Sequence, residues 1–193
     1  MQQSSNHVRL HTGRLILTPT DPWAAPTPQQ ILTTARETGL IGPALPEHDG
    51  FVVGPRFLDL VAFTGCAVQL DLEPPARGAP FCHIRISTPT PSPRLLAGRN
   101  TRPPQCPVCR RPLREWQAQA AGWDSAAIPM LICGACGSRT HAWEWRWREQ
   151  AGFGRVFLLI EEVFPSEGTP LPGLLRSLEA LGVGPWLWFY VQD

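Results

Sequence analysis

Cys106, Cys109, Cys133 and Cys136 form two Cys-x-x-Cys pairs, Cys106-Pro107-Val108-Cys109 and Cys133-Gly134-Ala135-Cys136, separated by 23 residues. Each pair can close a tight turn whose amides point at the sulfurs, and two such turns offer four thiolates to one tetrahedral ion at Zn–S distances of ~2.3 Å. The expected cofactor is Zn2+, although the same ligand count would also serve iron. His141 is a lesser candidate to replace one cysteine. Four thiolates leave no coordination position for a substrate, so the ion is expected to hold structure and not to hydrolyse anything.

Two knuckles of this kind resemble the zinc-ribbon family of modules, over about residues 103–140 of the 193. The resemblance implies short hairpins with a knuckle at each end. Gly137 after the second pair matches the family's pattern, whereas Arg110 follows the first pair where such modules often have Gly. A thioredoxin-like redox pair would need a helix after its cysteines, which Pro107 and Pro112 interrupt, and would leave the other pair idle.

The remaining reactive types read as structural. Cys66 and Cys82 are expected to be core cysteines, and Cys82 and His83 are neighbours in a strand, so their side chains part to opposite faces and the histidine cannot activate the thiol. Asp59 is expected to pair with Arg56 or Arg85. Glu161 and Glu162, adjacent in a strand, also face apart. No phosphate loop, nucleophile elbow or paired-histidine motif appears, so no catalytic residue is assigned.

Charge is unevenly distributed. All seventeen basic residues are Arg, and residues 74–114 hold eight of them without a single carboxylate; that window carries +8 in a chain of net charge +1, leaving −7 elsewhere. Arg94, Arg99, Arg102, Arg110, Arg111 and Arg114, with Trp116 and Trp123, are the candidate contacts to a partner. Arg and Trp are enriched at protein-binding hot spots, so a protein-interaction or adaptor role leads. Binding of nucleic acid by the same Arg-rich arm and ribbon is the alternative, because zinc ribbons are often found in transcription and RNA-handling proteins and Arg neutralises phosphates. Against it stand the acidic remainder and the formal −2 of a zinc tetrathiolate, for which nearby Arg is a natural counter-charge. An enzyme with an unrecognised site is the third reading. The chain shows no apolar run long enough for a signal peptide or membrane span, and reduced cysteines suit a reducing compartment; a cytoplasmic protein without membrane contact is expected.

The elements that must position these residues read as α+β: a largely antiparallel sheet with two helices on one face, interrupted by the inserted cysteine module. The expected organisation is a flexible tail over 1–13, an α+β core in two halves over 14–87 and 142–193, a linker or extended arm over 88–105 with five prolines, and the ribbon over 106–141. Ordered structure should begin at Arg14-Leu15-Ile16-Leu17-Thr18. Thr27, Pro28 and Gln30 announce a capped helix that Gly39 ends. Strands are expected at 57–64, 67–72, 81–87, 155–164 and at Trp186–Val191, and a second helix over 169–182 with Leu171, Leu174, Leu175, Leu178 and Leu181 at helical spacing. A faint echo between residues 27–43 and 169–185 suggests two related halves.

Trp143, Trp145 and Trp147 alternate with Glu144, Arg146 and Arg148. Alternation in a strand puts the indoles on one face and the charges on the other, the opposite of a base-stacking platform, where both would be presented together. The indole face could bury ~500 Å². It is expected to pack in the core, against a helix or the strand Trp186–Val191.

Overall fold

Three consecutive residues, Leu15, Ile16 and Leu17, have no exposed surface in the first strand, and Leu158, Leu159 and Ile160 repeat the pattern. Alternate residues of a strand point to opposite faces, so unbroken burial means that the sheet is covered on both sides. The computed structural model, which describes residues 13–46, 49–65, 70–75, 79–120 and 130–192, shows what covers each.

In chain order the elements are β1 (Arg14–Pro19), α1 (Pro28–Glu37), β2 (Ile41–Ala44), β3 (Phe51–Val53), α2 (Phe57–Leu60), β4 (Val61–Phe63), β5 (His83–Ile86), β6 (Arg94–Ala97), α3 (Trp116–Ala120), β7 (Met130–Ile132), β8 (Arg139–His141), a 3-10 turn (Ala142–Glu144), β9 (Ala151–Gly154), β10 (Leu158–Glu161), β11 (Gly168–Pro170), α4 (Pro172–Glu179) and β12 (Trp186–Val191). The fold is α+β. The main sheet has the order β12-β1-β10-β5-β3-β2, and β11–β4, β6–β9 and β7–β8 form two-stranded ribbons. Every pairing among the described residues is antiparallel.

Register fixes the two faces. Leu15 lies opposite Ile160 and Tyr190, and Ile16 opposite Leu159 and Phe189. The first set packs with Ile31 and Ala35 of α1 and Leu174 and Leu178 of α4, so both helices cover one face. On the other face Ile16, Phe157, Leu159, Phe189 and Val191 pack together with Leu96 of β6 against them. The helix α1 starts as its residues dictate: Gln30 N donates to Thr27 Oγ1 at 3.2 Å and Thr27 N to Gln30 Oε1 at 2.8 Å, two otherwise unpaired donors satisfied reciprocally. Among the described residues no helix is long and apolar enough to cross a membrane.

Four expectations need correction. Phe57–Leu60 is a helical turn, not a strand, because it is Phe57 and Leu60, three apart, that are buried, while Leu58 and Asp59 face solvent. Leu70–Leu72 is not a strand either; Ala67–Gln69, and Cys66 with them, lie outside the described residues. The proline-rich stretch 88–105 is not a bare linker, since β6 within it pairs with β9 through Leu95 opposite Phe153; prolines flank that strand without entering it. Finally, Thr169 sits in β11, and α4 begins only at Pro172 with Leu171 as a cap that offers no side-chain bond. The two halves of the sequence echo differ accordingly: β2 and β3 lie in the main sheet, whereas β11 leaves it to pair with β4.

Candidate metal centre

The two cysteine pairs are built alike. In the first, Arg110 N donates to Cys106 O at 3.0 Å and Cys106 N to Arg111 O at 2.9 Å; in the second, Gly137 N donates to Cys133 O at 2.8 Å and Cys133 N to Ser138 O at 2.9 Å. Each turn closes with a residue in the left-handed region, Arg110 at φ 62° and Gly137 at φ 72°. Arg110 therefore keeps the knuckle geometry that glycine adopts freely, at a cost of roughly 1–2 kcal/mol. The first knuckle is anchored because Gln105 bridges to both Pro112 and Arg146, and the second lies at the end of the β7–β8 hairpin.

Together the knuckles bring the four sulfurs within 4.8 Å of one another. Cys106 Sγ lies 3.8 Å from Cys136 Sγ, and Cys109 Sγ 3.5 Å from Cys133 Sγ. A tetrahedron of ~2.3 Å metal–sulfur bonds has edges of about 3.8 Å, so the four cysteines fit one ion. His141 is not in the cluster; its ring stacks on that of Trp143 at 4.2 Å and 7°.

The thiols are poised unequally. Burial alone would raise Cys106, but the Ser138 hydroxyl, the Cys109 and Val108 amides and the Cys133 thiol lower it to about 6. Ser138, through its hydroxyl and its amide, also lowers Cys136. The Arg111 amide favours a Cys109 thiolate, yet burial and the three neighbouring sulfurs push that thiol up to about 12. Four sulfurs so close cannot all be anionic without a cation between them, and a divalent ion removes that conflict. Ser138, whose Oγ is 3.2 Å from both Cys106 and Cys136, carried no signal in sequence beyond its place two residues after the last cysteine.

The tryptophans belong to this module. Alternation holds, with Trp145 and Trp147 buried and Glu144, Arg146 and Arg148 exposed, but the carrier is a 3-10 turn and an extended segment, not a strand. They pack in a core as expected, and of the two partners expected it is a helix, α3 through Trp116, that meets them. Trp116, Trp145, Trp147 and Phe153 pack with Leu131, Cys106 and Cys133 in a core of their own. Trp147 meets Trp116 edge-on at 5.2 Å and Phe153 at 5.8 Å, and donates from Nε1 to Ala142 O at 2.9 Å.

The candidate contacts divide. Arg99, Arg102, Arg110, Arg111 and Arg114 are exposed. Trp116 is not a contact but a core residue, 5% exposed, and Arg94 lies in β6 with its guanidinium 5.4 Å from the Phe157 ring centre. Trp123 lies outside the described residues. A cleft of about 300 Å³ opens beside the second knuckle, lined by Arg111, Arg114, Cys133, Ala135 and Trp145 among others. The indole Nε1 of Trp145 is buried without a hydrogen-bond partner. Val108 and Ile132, one on each knuckle hairpin, are 67% and 57% exposed.

Elsewhere the reactive side chains are occupied structurally. Cys82 is fully buried, and burial, with repulsion from Glu162 and Glu161, pushes its thiol up to about 12. His83 Nδ1 lies 2.9 Å from Phe81 O. Asp59 pairs with Arg56 at 3.7 Å in solvent, while Arg85 pairs with Asp49 and with the buried Glu161, which Arg14 also approaches at 3.8 Å. Comparison with known proteins finds no matching family model, no matching curated protein and no matching solved structure.

Proposed function

We propose that the protein is a non-catalytic interaction protein in which a structural four-cysteine zinc site, of zinc-ribbon type, organises a module that docks an acidic segment of a partner protein. The observation that carries this reading is the set Arg110, Arg111 and Arg114 on and after the first knuckle: all three are exposed and without an ion pair to any described residue, and Arg111 and Arg114 line the second-knuckle cleft against one carboxylate, Glu115. Arginines held in that state are a standing attraction for carboxylates. Val108 and Ile132, 67% and 57% exposed on the two knuckle hairpins, supply apolar surface for a partner to cover. Zinc is the ion of this proposal, and a tetrahedron of four thiolates would also hold iron. Reduced thiolates of this kind suit the cytoplasm.

Capture of partners by the zinc-loaded protein tests the docking claim. Arg110→Glu/Arg111→Glu should abolish a partner that Arg176→Glu, on α4, leaves in place; capture unchanged by the double variant removes the knuckle from the interface.

Nucleic acid is the second reading, favoured by the wider set of unpaired arginines that Arg139, Arg146 and Arg148 extend. Burial of Trp116, Trp145 and Trp147 takes away the aromatic platform that single strands stack on, which lowers this reading. Binding of duplex or single-stranded nucleic acid at about 50 mM salt, falling steeply as salt rises, would establish it over the protein-docking reading.

A further inference from the structure

A further cleft stands apart from the knuckles, where the 98–102 loop, the turn after Trp147 and the loop before β11 meet. It measures about 560 Å³ and is lined by Arg99, Asn100, Thr101, Arg102, Arg148, Glu149, Gln150, Pro165, Ser166 and Tyr190. That volume is in the range of small-molecule sites, which run from about 300 to 1,000 Å³. From these residues we infer a binding site for a phosphomonoester on a hydroxylated, non-aromatic carrier, of the sugar-phosphate class.

Charge is the first reason. Three arginines, Arg99, Arg102 and Arg148, are among the lining residues with one acidic residue, Glu149, and none of the three arginines has an ion pair among the described residues. The imbalance is two positive charges, which matches a phosphomonoester dianion near neutral pH. Guanidiniums bind such a group with two parallel hydrogen bonds each.

Strain is the second. Five described non-glycine residues have positive φ, and three of them, Arg148 at 52°, Glu149 at 55° and Ser166 at 70°, line this cleft. Left-handed backbone costs about 1–3 kcal/mol at each such residue and persists only where the surroundings enforce it. Here they do. Tyr190 N donates to Glu149 O at 2.9 Å, Thr101 Oγ1 to Gln150 O at 2.7 Å, and Arg102 N to Gln150 Oε1 at 3.1 Å, so the strained turn is clamped on both sides. The opposite loop is fastened as firmly: Asn100 donates from Nδ2 to Tyr190 O at 3.0 Å and accepts at Oδ1 from Gln192 N at 2.9 Å. The three arginines thus project from backbone fixed before any ligand arrives, which lowers the ordering cost of binding.

The walls decide the carrier. Ser166 is an exposed hydroxyl in the lining, whereas the one aromatic residue there, Tyr190, is buried and presents no open face for a base. Hydroxyls therefore fit better than a nucleobase.

Calorimetric titration of the full, zinc-loaded chain with ribose 5-phosphate, inorganic phosphate and ribose at about 50 mM salt tests this inference. One saturable site for ribose 5-phosphate, weaker binding of inorganic phosphate and none of ribose are expected. Arg102→Ala and Arg148→Gly should each weaken ribose 5-phosphate about tenfold or more. Glycine at 148 also relieves the left-handed strain, so that variant should fold at least as well as the parent, and lost binding cannot be blamed on lost structure. No saturable binding of either phosphate compound at millimolar concentration, or binding unchanged in both variants, would overturn the site; equal affinity for phosphate and ribose 5-phosphate would overturn its assignment to a sugar phosphate. The knuckle arginines are untouched in this test, so its failure and that of the docking reading are separable.

Discussion

The α+β body and the cysteine module obtain order from different sources. In the body, aliphatic side chains from six paired strands and two helices, Leu15, Leu17, Ile31, Ile84, Leu158, Ile160 and Leu174 among them, fill a continuous core. In the module, the β7 and β8 strands have three residues each, and the interior is four aromatic side chains, Leu131, Ala142, Ala151 and two of the four clustered cysteines. A core that small needs a covalent or metal staple, and the four clustered cysteines are placed to hold one. The arginines follow the same division. Arg14, Arg56 and Arg85 in the body are ion-paired, whereas Arg110, Arg111 and Arg114 on the first knuckle are not.

Removing one ligand should separate the regions most sharply. Cys133→Ser is expected to lose the metal, and since structural zinc contributes about 10–16 kcal/mol in small zinc-finger peptides, the module should lose order while β1, β10 and β12 keep theirs. Hydrogen exchange read element by element checks this; uniform loss of protection, or none in β7 and β8, would erase the distinction. Trp147→Ala should cost about 3–5 kcal/mol and act first on the module, whereas Phe157→Ala, of similar size, should act on the sheet. Denaturant melts followed by exchange tell the two apart.

Acid and alkali should also divide the molecule. Cys82 and Tyr190 in the body have thiol and phenol values raised from 9.0 and 10.0 to about 12, by burial in both cases. Above pH 9 the unfolded chain sheds these protons before the folded one, so the stability they lend is complete below about pH 9 and is lost as pH rises towards 12. For Cys82 the slope approaches 1.4 kcal/mol per pH unit, about the value of one unit of pKa. Cys82→Ala should flatten the stability curve between pH 9 and 10. The module's dependence runs the other way, because protons compete with metal for thiolates and release it as pH falls. The smallest effect is at Arg110: Arg110→Gly should stabilise the zinc-loaded protein by about 1 kcal/mol through relief of left-handed strain, while weakening partner capture. A destabilised Arg110→Gly would mean that the side chain contributes to the fold and is not reserved for contact.

Where local rules act alone, the sequence was legible. The Thr27-Pro28-Gln30 cap, the apolar runs of β1, β10 and β12 and the paired cysteines all follow from spacing, because each is decided within a few residues. What the sequence hid was decided at long range. The turn at Phe57–Leu60 and the strand β6 depend on which surfaces await them across the fold, and short apolar runs carry no unambiguous period. Trp143, Trp145 and Trp147 were separable from their charged neighbours by alternation, but nothing local says that their core is the cysteine module. That Arg148 shares a cleft with Arg99 and Arg102 was hidden for the same reason, since they lie almost fifty positions earlier.

Metal content measured together with chelation is the most direct test of the four-cysteine centre. One zinc per chain is expected in the purified protein, and its removal by a strong chelator should change the tryptophan fluorescence of the module and open β7 and β8 to exchange, with recovery on adding zinc back. A protein with neither zinc nor iron, or one whose exchange pattern is the same with and without the metal, would contradict a metal-organised module.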